Sequence, residues 1–149
     1  MLSQTAEYAL RAVLFLADRP NGQPVRVEEI GGVLGMPSAY LSKILNTLVR
    51  ARLLTSLRGR HGGFQLAVAP EDLPLLKVVA PFDTIVERRH CLLGRADCND
   101  RVACAAHAAW KQTADQIAHF FRTTTVADIR GTTQQLATLS TRSTTRRPA

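Results

Sequence analysis

Gly35-Met36-Pro37-Ser38-Ala39-Tyr40-Leu41-Ser42-Lys43-Ile44-Leu45-Asn46-Thr47-Leu48-Val49-Arg50 is the stretch that decides the fold. Leu41, Ile44, Leu45, Leu48 and Val49 recur at helical spacing and predict a buried stripe on a helix over Ser38 to Ala51. Ala39, Tyr40, Ser42, Lys43, Asn46, Thr47 and Arg50 lie mainly off that stripe. Pro37 disfavours helix at Met36, and Ser38 is placed to cap the helix after it. Just upstream, Val27 to Leu34 predicts a short helix with Ile30, Val33 and Leu34 inward. Glu28 and Glu29 sit in its first turn, where the helix dipole favours negative charge. Two short helices joined by a Gly/Pro turn make a helix-turn-helix candidate. In that motif the second helix is the recognition helix, and its N-terminal residues meet base edges.

Downstream, Leu53 to Leu57 and Phe64 to Val68 are two β-capable runs flanking Arg58-Gly59-Arg60-His61-Gly62-Gly63. They predict a hairpin with a glycine-rich basic tip, and a hairpin directly after a recognition helix is the wing of a winged-helix domain. Arg58 and Arg60 suit a minor groove or phosphates, with Gly59 and His61 between and beside them. Upstream, Ala6, Ala9, Leu10, Val13, Leu14 and Ala17 predict a helix over residues 3–18, capped by Ser3 and ended by Pro20-Asn21-Gly22.

Charge follows the same map. The 149 residues carry 19 Lys+Arg and 12 Asp+Glu, a net +7. Residues 1–70 contribute +4, residues 71–139 contribute zero, and Arg142, Arg146 and Arg147 contribute +3 from the tail. No acid occurs between Glu29 and Glu71, whereas Lys43, Arg50, Arg52, Arg58 and Arg60 all do. Folded segments normally mix both signs. An acid-free window over a recognition helix and wing therefore reads as a phosphate-contacting surface, against the plainer reading of a solvated basic face.

The hydrophobic share of 46% suffices for a core and rules out wholesale disorder. No apolar run is long enough for a transmembrane helix, and Met1 to Asp18 lacks the features of a signal peptide. The expectation is a cytoplasmic protein with no membrane partner. Residues 72–82 predict a linking helix and residues 88–104 a loop. Ala103 to Arg122 predicts the longest helix, on which Ala103, Ala106, Trp110, Ala114 (or Thr113), Ile117 and Phe121 repeat at a spacing suited to packing on another helix. A partner helix from a second copy would make a homodimer, and packing on the chain's own first helix is the other option. Residues 126–138 predict a last short helix, and Ser140 to Ala149 a disordered tail. The expected architecture is mainly α with a small β-hairpin. Residues 1–82 form the winged helix-turn-helix, 83–104 a cysteine-containing sensor loop, 105–138 the dimerisation and C-terminal helices, and 139–149 a basic tail.

The three cysteines, Cys91, Cys98 and Cys104, fall within fourteen residues as C-x6-C-x5-C, followed by His107. An odd count argues against a disulfide framework. Thiolates converging on one point repel each other unless a metal neutralises them, so a Cys3His set suits zinc or an iron–sulfur cluster. Redox-active thiols and inert cysteines are the remaining readings of these residues. No Ser-His-Asp order, phosphate-binding loop or paired carboxylates point to an enzyme; His107 lowering a thiol pKa is the least implausible enzymatic reading.

The opening Ser3-Gln4-Thr5-Ala6-Glu7-Tyr8-Ala9-Leu10-Arg11-Ala12 resembles that of the IscR/NsrR/RirA-type winged-helix regulators, the Rrf-two family. So do Tyr40-Leu41-Ser42-Lys43-Ile44-Leu45, the wing Arg58 to Phe64, and the cysteine cluster with Trp110. The resemblance covers roughly residues 1–130. It implies a homodimer on palindromic double-stranded promoter DNA, with recognition helices in major grooves and wings in minor grooves. Ser38, Ala39, Tyr40, Ser42, Lys43 and Arg50 would serve the helix, and Arg58, Gly59, Arg60 and His61 the wing.

The resemblance also implies an iron–sulfur cluster held by Cys91, Cys98 and Cys104, 2Fe–2S ahead of 4Fe–4S, with zinc as the alternative. His107 matches the fourth ligand of the IscR type, and Glu7 the acid that NsrR-type members supply from the partner subunit. The chain departs from the IscR pattern by one extra residue between its first two cysteines. The function implied is that of a repressor under cluster control, sensing redox, nitric oxide or iron. The alternative is a cluster-independent repressor sensing redox or a metabolite through thiols or zinc.

Overall fold

The computed structural model describes residues 2–84, 91–95 and 99–131. Six helices and one hairpin follow in order: α1 (Gln4–Ala17), α2 (Val27–Leu34), α3 (Ser38–Arg50), β1 (Leu54–Leu57), β2 (Gly63–Leu66), α4 (Leu75–Val79), α5 (His107–Thr123) and α6 (Val126–Ile129). β1 and β2 pair antiparallel with Leu54 opposite Leu66 and Leu57 opposite Gly63. The mainly helical winged fold is the one expected.

α1 is the central helix. The Ser3 hydroxyl accepts from the Ala6 amide and caps it. Ala6, Ala9 and Ala12 are fully buried, and their small side chains let α3 and α4 approach the α1 backbone closely. Leu41, Ile44, Leu45 and Leu48 of α3 fill the space below, with Leu34, Leu73, Leu75 and Val78. Each such side chain contributes about 1.5–3 kcal/mol on burial. Val49 is half-buried at the edge of this core.

Three local expectations change. Pro37, not Ser38, holds the cap position of α3; its φ of -61° suits the turn and its carbonyl accepts from the Leu41 amide at 2.9 Å. Ser38 is thereby the first helical residue. Val33 is 44% exposed, and Gly31 takes the inward place on α2. The linking helix is shortened to Leu75–Val79, because Pro74 sets its start and residues 70–72 form a separate single turn.

The chain beyond α4 returns to where it left. The Leu75 amide donates to the Thr124 carbonyl at 3.0 Å and the Val126 amide to the Leu73 carbonyl at 2.9 Å. These bonds pin the C-terminal end of α5 to the chain just before α4. α5 begins at His107 rather than at Ala103. Upstream, the Asn99 side-chain oxygen accepts from the Arg101 and Val102 amides at 2.9 and 3.1 Å. That turn competes with helix for the same backbone donors. The predicted last helix spans only Val126–Ile129 among the described residues. The tail expectation, 139–149, lies outside the described residues.

Candidate DNA interface and sensor loop

The recognition helix presents Ala39, Tyr40, Lys43, Asn46 and Arg50 outward, with Ser38 and Ser42 half-buried. The Ser42 hydroxyl donates to the Ser38 carbonyl at 2.8 Å, leaving its oxygen lone pairs for a ligand. Tyr40 is 37% exposed but is not loose. Its hydroxyl pairs with that of Thr5 at 2.6 Å, and its ring meets Tyr8 edge-on with centroids 6.0 Å apart. The Arg11 guanidinium donates to the Leu34 carbonyl at 3.3 Å, at the C-terminal end of α2 where a cation is favoured. α1 therefore grips the helix-turn-helix on both sides of its turn. Thr5 and Arg11 were not legible as site residues, since their partners lie 35 and 23 positions away.

The wing projects Arg58, Gly59, Arg60 and His61, all exposed. Val25 pairs with the loop end of β2 as a single-residue bridge: the Val25 amide donates to the Phe64 carbonyl at 2.9 Å and the Phe64 amide to the Val25 carbonyl at 2.8 Å. Gly63 makes that approach feasible, because a Cβ there would lie 2.5 Å from the Val25 backbone. Arg26, the next residue, donates from Nη2 to the Arg60 carbonyl at 2.7 Å. It adds a basic residue to the wing that sequence spacing did not single out. Arg52 is exposed, with a φ of 61° at the turn after α3.

The cysteine-containing segment is described in part. Cys91 and Cys104 are half-buried, while Cys98 lies outside the described residues. The Cys104 carbonyl accepts from the His107 amide at 2.9 Å, which places these two residues on one turn at the foot of α5. His107 Nε2 is 2.9 Å from the Asp100 carboxylate, which also takes two 3.0 Å hydrogen bonds from Lys111. The His107 hydrogen bond, then the Lys111 ammonium, hold the Asp100 carboxyl below the usual carboxylate range. Glu7 stands exposed on α1. Among the described residues no three His, Cys, Asp or Glu side chains converge as a metal site, so one subunit does not bring Glu7 to Cys91, Cys104 and His107.

The donor set nonetheless fits a thiophilic group. A ligating histidine typically donates its second ring N–H to a carboxylate, and the Asp100 carboxylate stands 2.9 Å from His107 Nε2. Beside this pair, Asp100, His107, Lys111, Asp115 and His119 line an open groove of about 630 Å³ along α5. Among the described residues no helix is long and apolar enough to cross a membrane.

The comparisons with known proteins agree with this architecture. The Rrf2 family, described as iron-dependent transcriptional regulators, matches residues 2–131. The transcriptional regulator IscR of Vibrio atlanticus is 30% identical over 128 residues, 86% of this chain and 73% of that protein. CymR, the global cysteine regulator of B. subtilis, superposes with a TM-score of 0.73 at 20% identity, over 87% of this chain and 95% of its own. IscR of T. potens gives 0.69 at 19% identity, over 100% and 93%. The two structural likenesses bear on the fold, and the sequence match bears on descent. With its central α1, its helix-turn-helix and its hairpin wing, the chain belongs to the Rrf2 family of transcriptional regulators.

Proposed function

We propose that the chain acts as a homodimer on palindromic double-stranded DNA, as a repressor whose operator affinity is set by an iron–sulfur cluster. The observation that carries the reading is the exposed basic set of α3 and the wing, Lys43, Arg50, Arg58 and Arg60, drawn from a window with no acid. Tyr40, Ser42 and Lys43 face base edges or adjacent phosphates, with Ser38 and Ala39 at the same helix end. Arg58, Gly59, Arg60 and His61 enter the neighbouring minor groove, and Arg50 contacts the backbone. Arg58→Ala is expected to weaken binding to all sequences and flatten the salt slope by about one unit. An unchanged affinity and slope would remove the wing from the interface.

Cys91, Cys98 and Cys104 would hold the cluster as thiolates, with His107 as fourth ligand ahead of Glu7 of a second copy. When bound, such a cluster supplies a crosslink that responds to redox state, nitric oxide and iron supply. Asp100 holds the His107 ring at Nε2. Tying Cys91 and Cys104 to the foot of α5 would order the loop and set the spacing of the two recognition helices. A useful switch needs ~2–4 kcal/mol of differential affinity between its states.

Anaerobic purification with iron, sulfide and absorption measurements tests this. The expected result is a coloured, iron- and sulfide-containing dimer whose DNA affinity changes when the cluster is removed. A colourless, iron-free protein that still switches would instead favour direct thiol or zinc sensing. The His107–Asp100 pair supports the metal reading, because a carboxylate on the second ring nitrogen is the usual partner of a ligating histidine.

A further inference from the structure

We propose that Arg26 is a positioning residue that braces the wing tip for its groove by holding the backbone of Arg60. The proposal rests on the wing reading above. Arg26 occupies the cap position of α2, with φ -72° and ψ 147°, where Ser, Thr, Asp or Asn normally serves the free amides. It makes no side-chain cap hydrogen bond. Glu28 and Glu29 supply negative charge to the first turn instead, so the start of α2 gives no reason for an arginine.

Its guanidinium reaches across 34 positions to the Arg60 carbonyl at 2.7 Å, a charge-assisted bond of the strong class. The wing needs such a tie. Its strands are four residues each and end at Leu57 opposite Gly63, and a two-stranded hairpin is marginal by itself. Val25 holds the loop end of β2 through both backbone bonds to Phe64, the residue after Gly63. Beyond that pairing Arg58, Gly59, Arg60 and His61 are all exposed. Two adjacent residues thus serve consecutive parts of the wing. Val25 holds the strand end, and Arg26 holds the loop beyond it, whose two arginines meet DNA.

The test uses the full chain and a duplex selected by it from a randomised pool. Arg26→Ala is expected to weaken binding roughly tenfold, about the worth of one charge-assisted hydrogen bond. In an Arg58→Ala/Arg60→Ala background the same change should cost about threefold or less, because the two charged side chains it positions are gone. Amide hydrogen exchange of residues 58–62 in the DNA-free protein should quicken in Arg26→Ala while the thermal midpoint stays near that of the parent.

Unchanged affinity, or unchanged exchange at the tip, overturns the proposal. A full tenfold loss in the wing-less background also overturns it, since Arg26 would then be touching phosphate directly. If Arg58→Ala/Arg60→Ala alone left affinity intact, the wing reading itself would fall. Failure of the brace alone is recognised by a weakened wing variant beside an Arg26→Ala protein of parental affinity.

Discussion

Thr5 and Tyr40 share a 2.6 Å hydroxyl pair between the first turn of α1 and the first turn of the recognition helix. Thr5→Val leaves the phenol unpaired there and is expected to cost about 0.5–1.5 kcal/mol, read as a lower urea midpoint at unchanged slope. Tyr40→Phe should cost a similar amount, and the double variant little more than either single one, since both remove the same bond. Full additivity would show that the hydroxyls do not act together. Contacts of this kind were hidden in the sequence. Lys43, Arg50, Arg58 and Arg60 were legible because charge and spacing are local properties. Thr5, Arg11 and Arg26 were not, because each takes its role from a partner 23 to 35 positions away.

The elements were largely legible from periodicity, and where they departed a backbone cause is visible. Apolar spacing puts Val33 inward on α2, but the inward place belongs to Gly31. A Cβ at that glycine would lie 2.7 Å from the Met36 carbonyl oxygen, so the turn packs where no side chain fits. At α5, the alanines of residues 103–106 favour helix, yet the Asn99 turn claims the preceding backbone. The recognition helix illustrates the periodic case: Leu45 is fully buried, and Leu45→Ala is expected to cost about 2–5 kcal/mol in chemical denaturation.

The short helix α6 is held by a capping box, in which Thr125 and Asp128 satisfy each other's amides. The Thr125 backbone amide, then its hydroxyl, hold the Asp128 carboxyl below its ordinary value of 3.8. A carboxyl lowered on folding stabilises above its unfolded pKa, and that stabilisation is lost as pH falls through the folded value. Asp128→Ala should therefore be less stable than the parent at neutral pH, with a gap that narrows as acidity rises below about pH 3.8. Thermal unfolding of both proteins across that range checks it, and a gap independent of pH would count against the box.

At the scale of the molecule, α5 stands out. Of its 17 residues only Ala118 is buried, and Phe120 is 50% exposed. A helix so little covered within one chain is the surface on which a homodimer would form. Phe120→Asp is expected to raise the dimer dissociation constant at least about tenfold, seen by sedimentation, with a parallel loss of DNA affinity. A dimer of parental strength would place the interface elsewhere.

The bonds between Leu73–Leu75 and Thr124–Val126 have one more consequence. They bring together two points of chain about 50 residues apart, so the cysteine region leaves and re-enters the DNA-binding body at neighbouring points. Thermodynamically it behaves as an insert closed at its root. Doubling the length of a flexible loop costs only about 0.6 kcal/mol in closure entropy, so one added residue between Cys91 and Cys98 costs far less. The cysteine-containing stretch between α4 and α5 is thus free to vary in length, provided the root stays paired.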